Sequence, residues 1–73
     1  MTKTLDEIVK ESIKEVKPYS DKKGVSISYY DGTVRFPGYS KESSIEIRNM
    51  VMDSINKKCI EEGIPERVKV DDH

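Results

Sequence analysis

The sequence predicts an α+β fold: a two-layer α-β-β-α-β domain with a small three-stranded sheet and two helices packed on one face. Three observations predict it. Residues 25–36 alternate apolar and polar on both sides of Asp31-Gly32, the pattern of a β-hairpin. Two segments, 4–17 and 40–62, repeat apolar residues at helical spacing. A short alternating run over 66–70 follows the second of them.

The first helix, 4–17, opens on a capping box. Thr4 and Glu7 stand three apart, so each side chain can satisfy the other's backbone N–H. Leu5, Ile8, Val9, Ile13 and Val16 form the apolar stripe, with Ser12 inside it. Asp6 and Lys10 make an i,i+4 pair. Pro18 biases Lys17 away from helical geometry, so the helix is expected to stop at Lys17 and residues 18–24 to form a loop. Lys17, Lys22 and Lys23 gather loosely there. They read as a solubilising cluster, with an anion contact as the sharper alternative.

In the hairpin, Asp31-Gly32 suits a type I′ turn, which needs positive φ at both central residues. The turn sets the register: Tyr30 faces Thr33, Tyr29 faces Val34, Ser28 faces Arg35 and Ile27 faces Phe36. Val25, Ile27, Tyr29, Val34 and Phe36 share the inner face. Ser26, Ser28, Tyr30, Thr33 and Arg35 share the outer one. Pro37 cannot donate to a ladder and ends the second strand.

The second helix begins between Ser40 and Ser43, with Ser43 and Glu46 as a second capping box. Gly63, Ile64 and Pro65 close it. At 1.5 Å per residue it is about 34 Å long, against about 20 Å for a six-residue strand. It therefore overhangs the sheet. Ile47, Val51, Met52, Ile55 and Cys59 fall on one arc, which Ile45, Met50 and Ile60 widen. Arg48 sits inside the arc and reads as a snorkelling stem. A third strand, 66–70, turns Val68 and Val70 inward and Arg67 and Lys69 outward. Residues 71–73 form a frayed polar tail. The crossover helix makes strands 2 and 3 parallel. Strand 3 can lie beside strand 2 or antiparallel beside strand 1; the second order, with strand 1 central, is preferred.

At 73 residues the chain reads as one domain, 1–73. Its 34 % hydrophobic and 37 % charged content would suit disorder if the apolar residues were not so strongly patterned. A core this small rarely supplies more than about 3–5 kcal/mol. One Cys and one His exclude an internal disulfide and a Cys/His zinc site. Tight packing or oligomerisation must compensate, and a homodimer is expected. The net charge of −1 gives no strongly basic phosphate-gathering face. No run approaches a membrane span or a signal-peptide core. The expectation is a soluble cytoplasmic protein with no membrane partner.

Catalysis is not expected. The sole His is the last residue, Cys59 is mid-helix on the core arc, and no Gly-rich phosphate loop is present. No cofactor and no metal ligands are read from the chain. A double-stranded-RNA-binding domain would need a third strand before its last helix, and a KH domain a Gly-x-x-Gly loop. Both are absent.

The candidate partner surface is the outer sheet face with its continuation: Ser28, Tyr30, Thr33, Arg35 and Tyr39. Tyr with Arg is the composition of a protein-binding hot spot. A dimer or partner interface is placed on the second helix at Arg48, Met50, Met52 and Ile60. The expected function is a non-catalytic interaction module, a homodimer that binds and modulates or inhibits another protein. Such small chains suit the accessory proteins of phages and mobile elements. The alternative is a nucleotide- or single-stranded nucleic-acid-binding protein using Tyr30, Arg35 and Tyr39, with Lys22 and Lys23 nearby.

Overall fold

A computed structural model describes residues 3–36 and 42–71 of the chain. The elements run α1 (Leu5–Lys23), β1 (Ser28–Tyr30), β2 (Thr33–Arg35), α2 (Glu42–Glu62) and β3 (Lys69–Asp71). Two helices and a mixed three-stranded sheet make the α+β arrangement that the pattern predicts. One cluster of buried side chains joins them. Ile8, Val9 and Val16 come from α1, Val34 and Phe36 from β2 and its end, and Ile47, Val51, Ile55 and Cys59 from α2.

The start of α1 follows its local chemistry. Glu7 N–H donates to Thr4 Oγ1 at 3.2 Å and Thr4 N–H to Glu7 Oε1 at 3.4 Å, closing the capping box. Lys10 and Asp6 pair at 3.0 Å.

The far end corrects an expectation. Pro18 does not stop α1; the helix runs on to Lys23, and residues 18–23 are helical instead of looped. Pro18 lacks the N–H that would bond the Lys14 carbonyl. It lies on the exposed side of the helix, where water can take that carbonyl. Packing on the opposite side offsets the loss, because Val16 and Ser20 are both buried. The stop comes at Gly24, with φ +71°. Gly24 N–H donates to Asp21 O at 3.2 Å and Val25 N–H to Ser20 O at 2.8 Å, the paired bonds of a Schellman motif. The end of α2 repeats it: Gly63 N–H donates to Ile60 O at 3.2 Å and Ile64 N–H to Cys59 O at 2.9 Å.

The hairpin has the register its turn demands: Ser28 opposite Arg35, Tyr29 opposite Val34, Tyr30 opposite Thr33. Asp31 and Gly32 take φ of +53° and +73°, as a type I′ turn requires. The ladder is shorter than the alternating run, since Val25 to Ile27 approach it outside regular strand.

Strand order is the second correction. The sheet runs β1-β2-β3, with β3 parallel to β2 and paired Thr33 to Lys69, Val34 to Val70 and Arg35 to Asp71. Strand 3 is not antiparallel beside strand 1, and β2 is central. The crossover through α2 delivers β3 directly beside the strand it left. The strand with the deeper side chains also takes the middle. Val34 and Phe36 are 0 % and 2 % exposed, whereas Ile27 and Tyr29 of the first arm are half-buried. The third strand spans 69–71, three residues later at its start than the 66–70 run suggests, and Asp71 belongs to it. Val68 is buried just ahead of it.

Ser43 does not cap α2; it is already the second helical residue. The turn at 37–38, Tyr39, residues 40–41 and residues 72–73 lie outside the described residues.

Candidate functional site

The outer face of the sheet gathers the polar side chains. Strand alternation puts Ser28, Tyr30, Thr33 and Arg35 on the side away from the helices, and Tyr29 and Val34 on the packed side. Parallel pairing of Thr33 with Lys69 brings Lys69 onto the same face. Tyr30, Thr33 and Lys69 thus form one row across three strands, and Ser28, Arg35 and Asp71 a second beside it. Tyr30 is 73 % exposed. The Arg35 guanidinium donates to the Tyr30 carbonyl at 3.4 Å among its contacts. The face therefore offers a phenol, two hydroxyls and two cations, with an acidic residue, Asp71, in register with Arg35. Of the candidate sheet residues, four are brought together, and Tyr39 lies outside the described residues. Lys69 is the member that sequence reasoning missed. Its outward alternation was visible, but the expected strand order set it beside β1.

Tyr29, half-buried on the packed side, feels the Asp6 carboxylate in the first turn of α1. Burial, then the neighbouring Asp6 carboxylate, pushes the phenol above its ordinary pKa of 10.0. Asp6 is held below its ordinary 3.8, first by the hydrogen bond from Lys10, with Tyr29 a smaller contributor.

A polar seam joins the helices. Ser54 Oγ stands 3.1 Å from both Ser12 Oγ and Glu15 Oε2. Lys58 Nζ donates to Glu15 Oε1 at 2.8 Å. A carboxylate only accepts, so the Ser54 proton goes to Glu15 and the Ser12 proton to Ser54. Ser12 is fully buried, and this bond explains a hydroxyl inside the apolar stripe. At the far end, Lys3 N–H donates to Glu62 Oε1 at 2.9 Å and Lys3 Nζ pairs with Glu11 at 2.9 Å. The helices are antiparallel.

On α2 the expected interface residues divide. Met52 and Ile60 lie toward the flank away from α1, and Ile60 is 74 % exposed. Met50, two residues from Met52, points to the other flank and packs against the core. Arg48 is half-buried, with Nη1 donating to Asn49 Oδ1 at 3.4 Å among its contacts.

A cleft of about 160 Å³ opens between the end of α1 and the approach to β1, lined by Ile13, Lys17, Ser20, Asp21 and residues 25–27. Its Lys17, Ser20 and Asp21 side chains are paired. Lys17 meets Asp21 at 3.3 Å and Ser20 Oγ donates to Lys17 O at 3.0 Å. Lys22 and Lys23 belong to the last turn of α1, in the helix layer and not on the outer sheet face.

Among the described residues, no group of three or more His, Cys, Asp or Glu is placed to hold a metal ion, and Cys59 is buried. No helix among them is long and apolar enough to cross a membrane. No family model, no curated protein and no solved structure matches the chain.

Proposed function

We propose that the chain is a non-catalytic interaction module, a self-associating protein that docks another protein on the open face of its sheet and modulates it. The observation that supports this is the Tyr30-Thr33-Lys69 row beside Ser28 and Arg35. An exposed tyrosine flanked by cations supplies rigid contact area and directional donors at little entropic cost. Lys69 favours a partner surface that carries a carboxylate opposite it.

The test is capture from a lysate of the native host with tagged wild-type chain, Tyr30→Ala, and the pair Arg35→Glu/Lys69→Glu. A specific protein retained by wild type and lost from both variants, each still folded by circular dichroism, supports the reading. The same protein retained by both variants overturns the assignment to this face.

A second reading has one observation in its favour. Lys69 adds positive charge to the row of the exposed Tyr30, the combination on which single-stranded nucleic acid stacks. That reading requires retention of single-stranded oligonucleotides with affinity falling steeply in salt. No retention at low salt removes it.

A further inference from the structure

The second surface lies on α2. At 100° per residue, Ile45, Asn49, Met52, Asn56 and Ile60 fall within an arc of about 80°. The arc is centred opposite Ser54 and Lys58, the residues that meet α1. Ile45 is 45 % and Ile60 74 % exposed, and Asn49 and Asn56 are exposed. Met52 touches the core with one side and leaves the other open.

The stripe reads the same from either end: Ile, Asn, Met, Asn, Ile. Ile45 and Ile60, and likewise Asn49 and Asn56, are placed symmetrically about the Met52–Asp53 peptide. Glu46 and Lys57 lie about 20° apart on one flank of the stripe and on opposite sides of that peptide, offset from exact symmetry by about 3 Å along the helix axis. Neither makes an ion pair among the described residues. By contrast, Lys58, which faces α1, is paired with Glu15.

We infer that this stripe is an isologous interface and that its occupant is a second copy of the chain, with the two α2 helices antiparallel across a two-fold axis at Met52–Asp53. A two-fold interface sets residue i against j and j against i. Here it sets Ile45 against the partner's Ile60, Asn49 against the partner's Asn56, and Met52 near its own symmetry mate. In an antiparallel pair each flank meets its own counterpart, so Glu46 reaches the partner's Lys57 twice over. A parallel pair separates these charges. Asparagines within an apolar seam select register and orientation. The sheet face stays open. The inference deepens the reading of the chain as a self-associating module and rests on it.

Two experiments test it. Sedimentation equilibrium of the wild-type chain should show a reversible monomer–dimer transition. Ile60→Glu and Lys57→Glu should each weaken it by about tenfold or more, and Glu46→Lys added to Lys57→Glu should restore it. All three positions are exposed, so the monomer fold survives, which circular dichroism checks. For geometry, Ile45→Cys and Ile60→Cys chains are mixed and oxidised, with Cys59 left in the core. Disulfides between an Ile45→Cys chain and an Ile60→Cys chain, exceeding those between like chains, support the antiparallel pair. Preferential like-to-like disulfides overturn it. A dimer indifferent to Ile60→Glu removes this interface while leaving self-association standing. A monomer at every concentration removes both.

Discussion

Glu15 on α1 and Lys58 on α2 meet across the helix pair, Oε1 to Nζ at 2.8 Å, and Ser54 bonds the second carboxylate oxygen at 3.1 Å. Lys58 is mostly covered and Glu15 mostly exposed. The bond from Lys58, then that from Ser54, holds Glu15 below its ordinary pKa of 4.5. A carboxyl depressed in the folded state stabilises the fold above its unfolded pKa, and loses that effect as pH falls through the folded value. Thermal unfolding of wild type and Glu15→Gln should therefore differ by a constant gap above about pH 5 that closes toward about pH 2. A gap that persists in acid would mean that Glu15 acts by packing and not by charge.

The Ser12–Ser54 contact should appear as coupling. Ser54→Ala leaves the buried Ser12 hydroxyl without its acceptor and should cost about 1–3 kcal/mol. Ser12→Ala in that background should recover part of the loss, since both partners are then apolar. A double-mutant cycle by urea denaturation measures this. Strict additivity would mean that the hydroxyls are not bonded to each other.

Pro18 sits in a helix that continues past it. Pro18→Ala restores a backbone donor for the Lys14 carbonyl and should stabilise the fold by up to about 3 kcal/mol. Each kcal/mol should raise Tm by about 4–8 °C in a domain of this size. A lowered Tm would show that the restriction proline places on the unfolded chain outweighs the missing bond.

Phe36 and Tyr30 are aromatics on opposite sides of one hairpin. Phe36 is 2 % exposed, and Phe36→Ala should cost about 3–5 kcal/mol. That matches the whole stability expected of so small a core, so the variant should be largely unfolded by circular dichroism at room temperature. Tyr30→Ala should change stability by no more than about 0.5 kcal/mol. A large loss there would make Tyr30 structural and remove it from the docking face.

What the sequence determined by itself is local. Thr4 and Glu7, Asp31 and Gly32, and Gly63 and Ile64 sit within a few residues of each other. Their dihedral and hydrogen-bond preferences settle caps, turn and register without help from the rest of the chain. The two hairpin faces follow from the turn and the period of two.

Tertiary structure decided what depends on residues far apart. Pro18 is tolerated because Val16 and Ser20 are buried on the opposite side of the helix, a gain no local preference contains. Strand 3 lies beside β2 because α2 crosses over to it, and because Val34 and Phe36 claim the centre. Lys69 joins Tyr30 only through that order. Ser12, an exception within the apolar stripe, is accounted for by Ser54, forty-two residues away. The stripe from Ile45 to Ile60 belongs to the same class. Helical spacing places those side chains together, but only the packing of α1 against the opposite side of α2 leaves them uncovered.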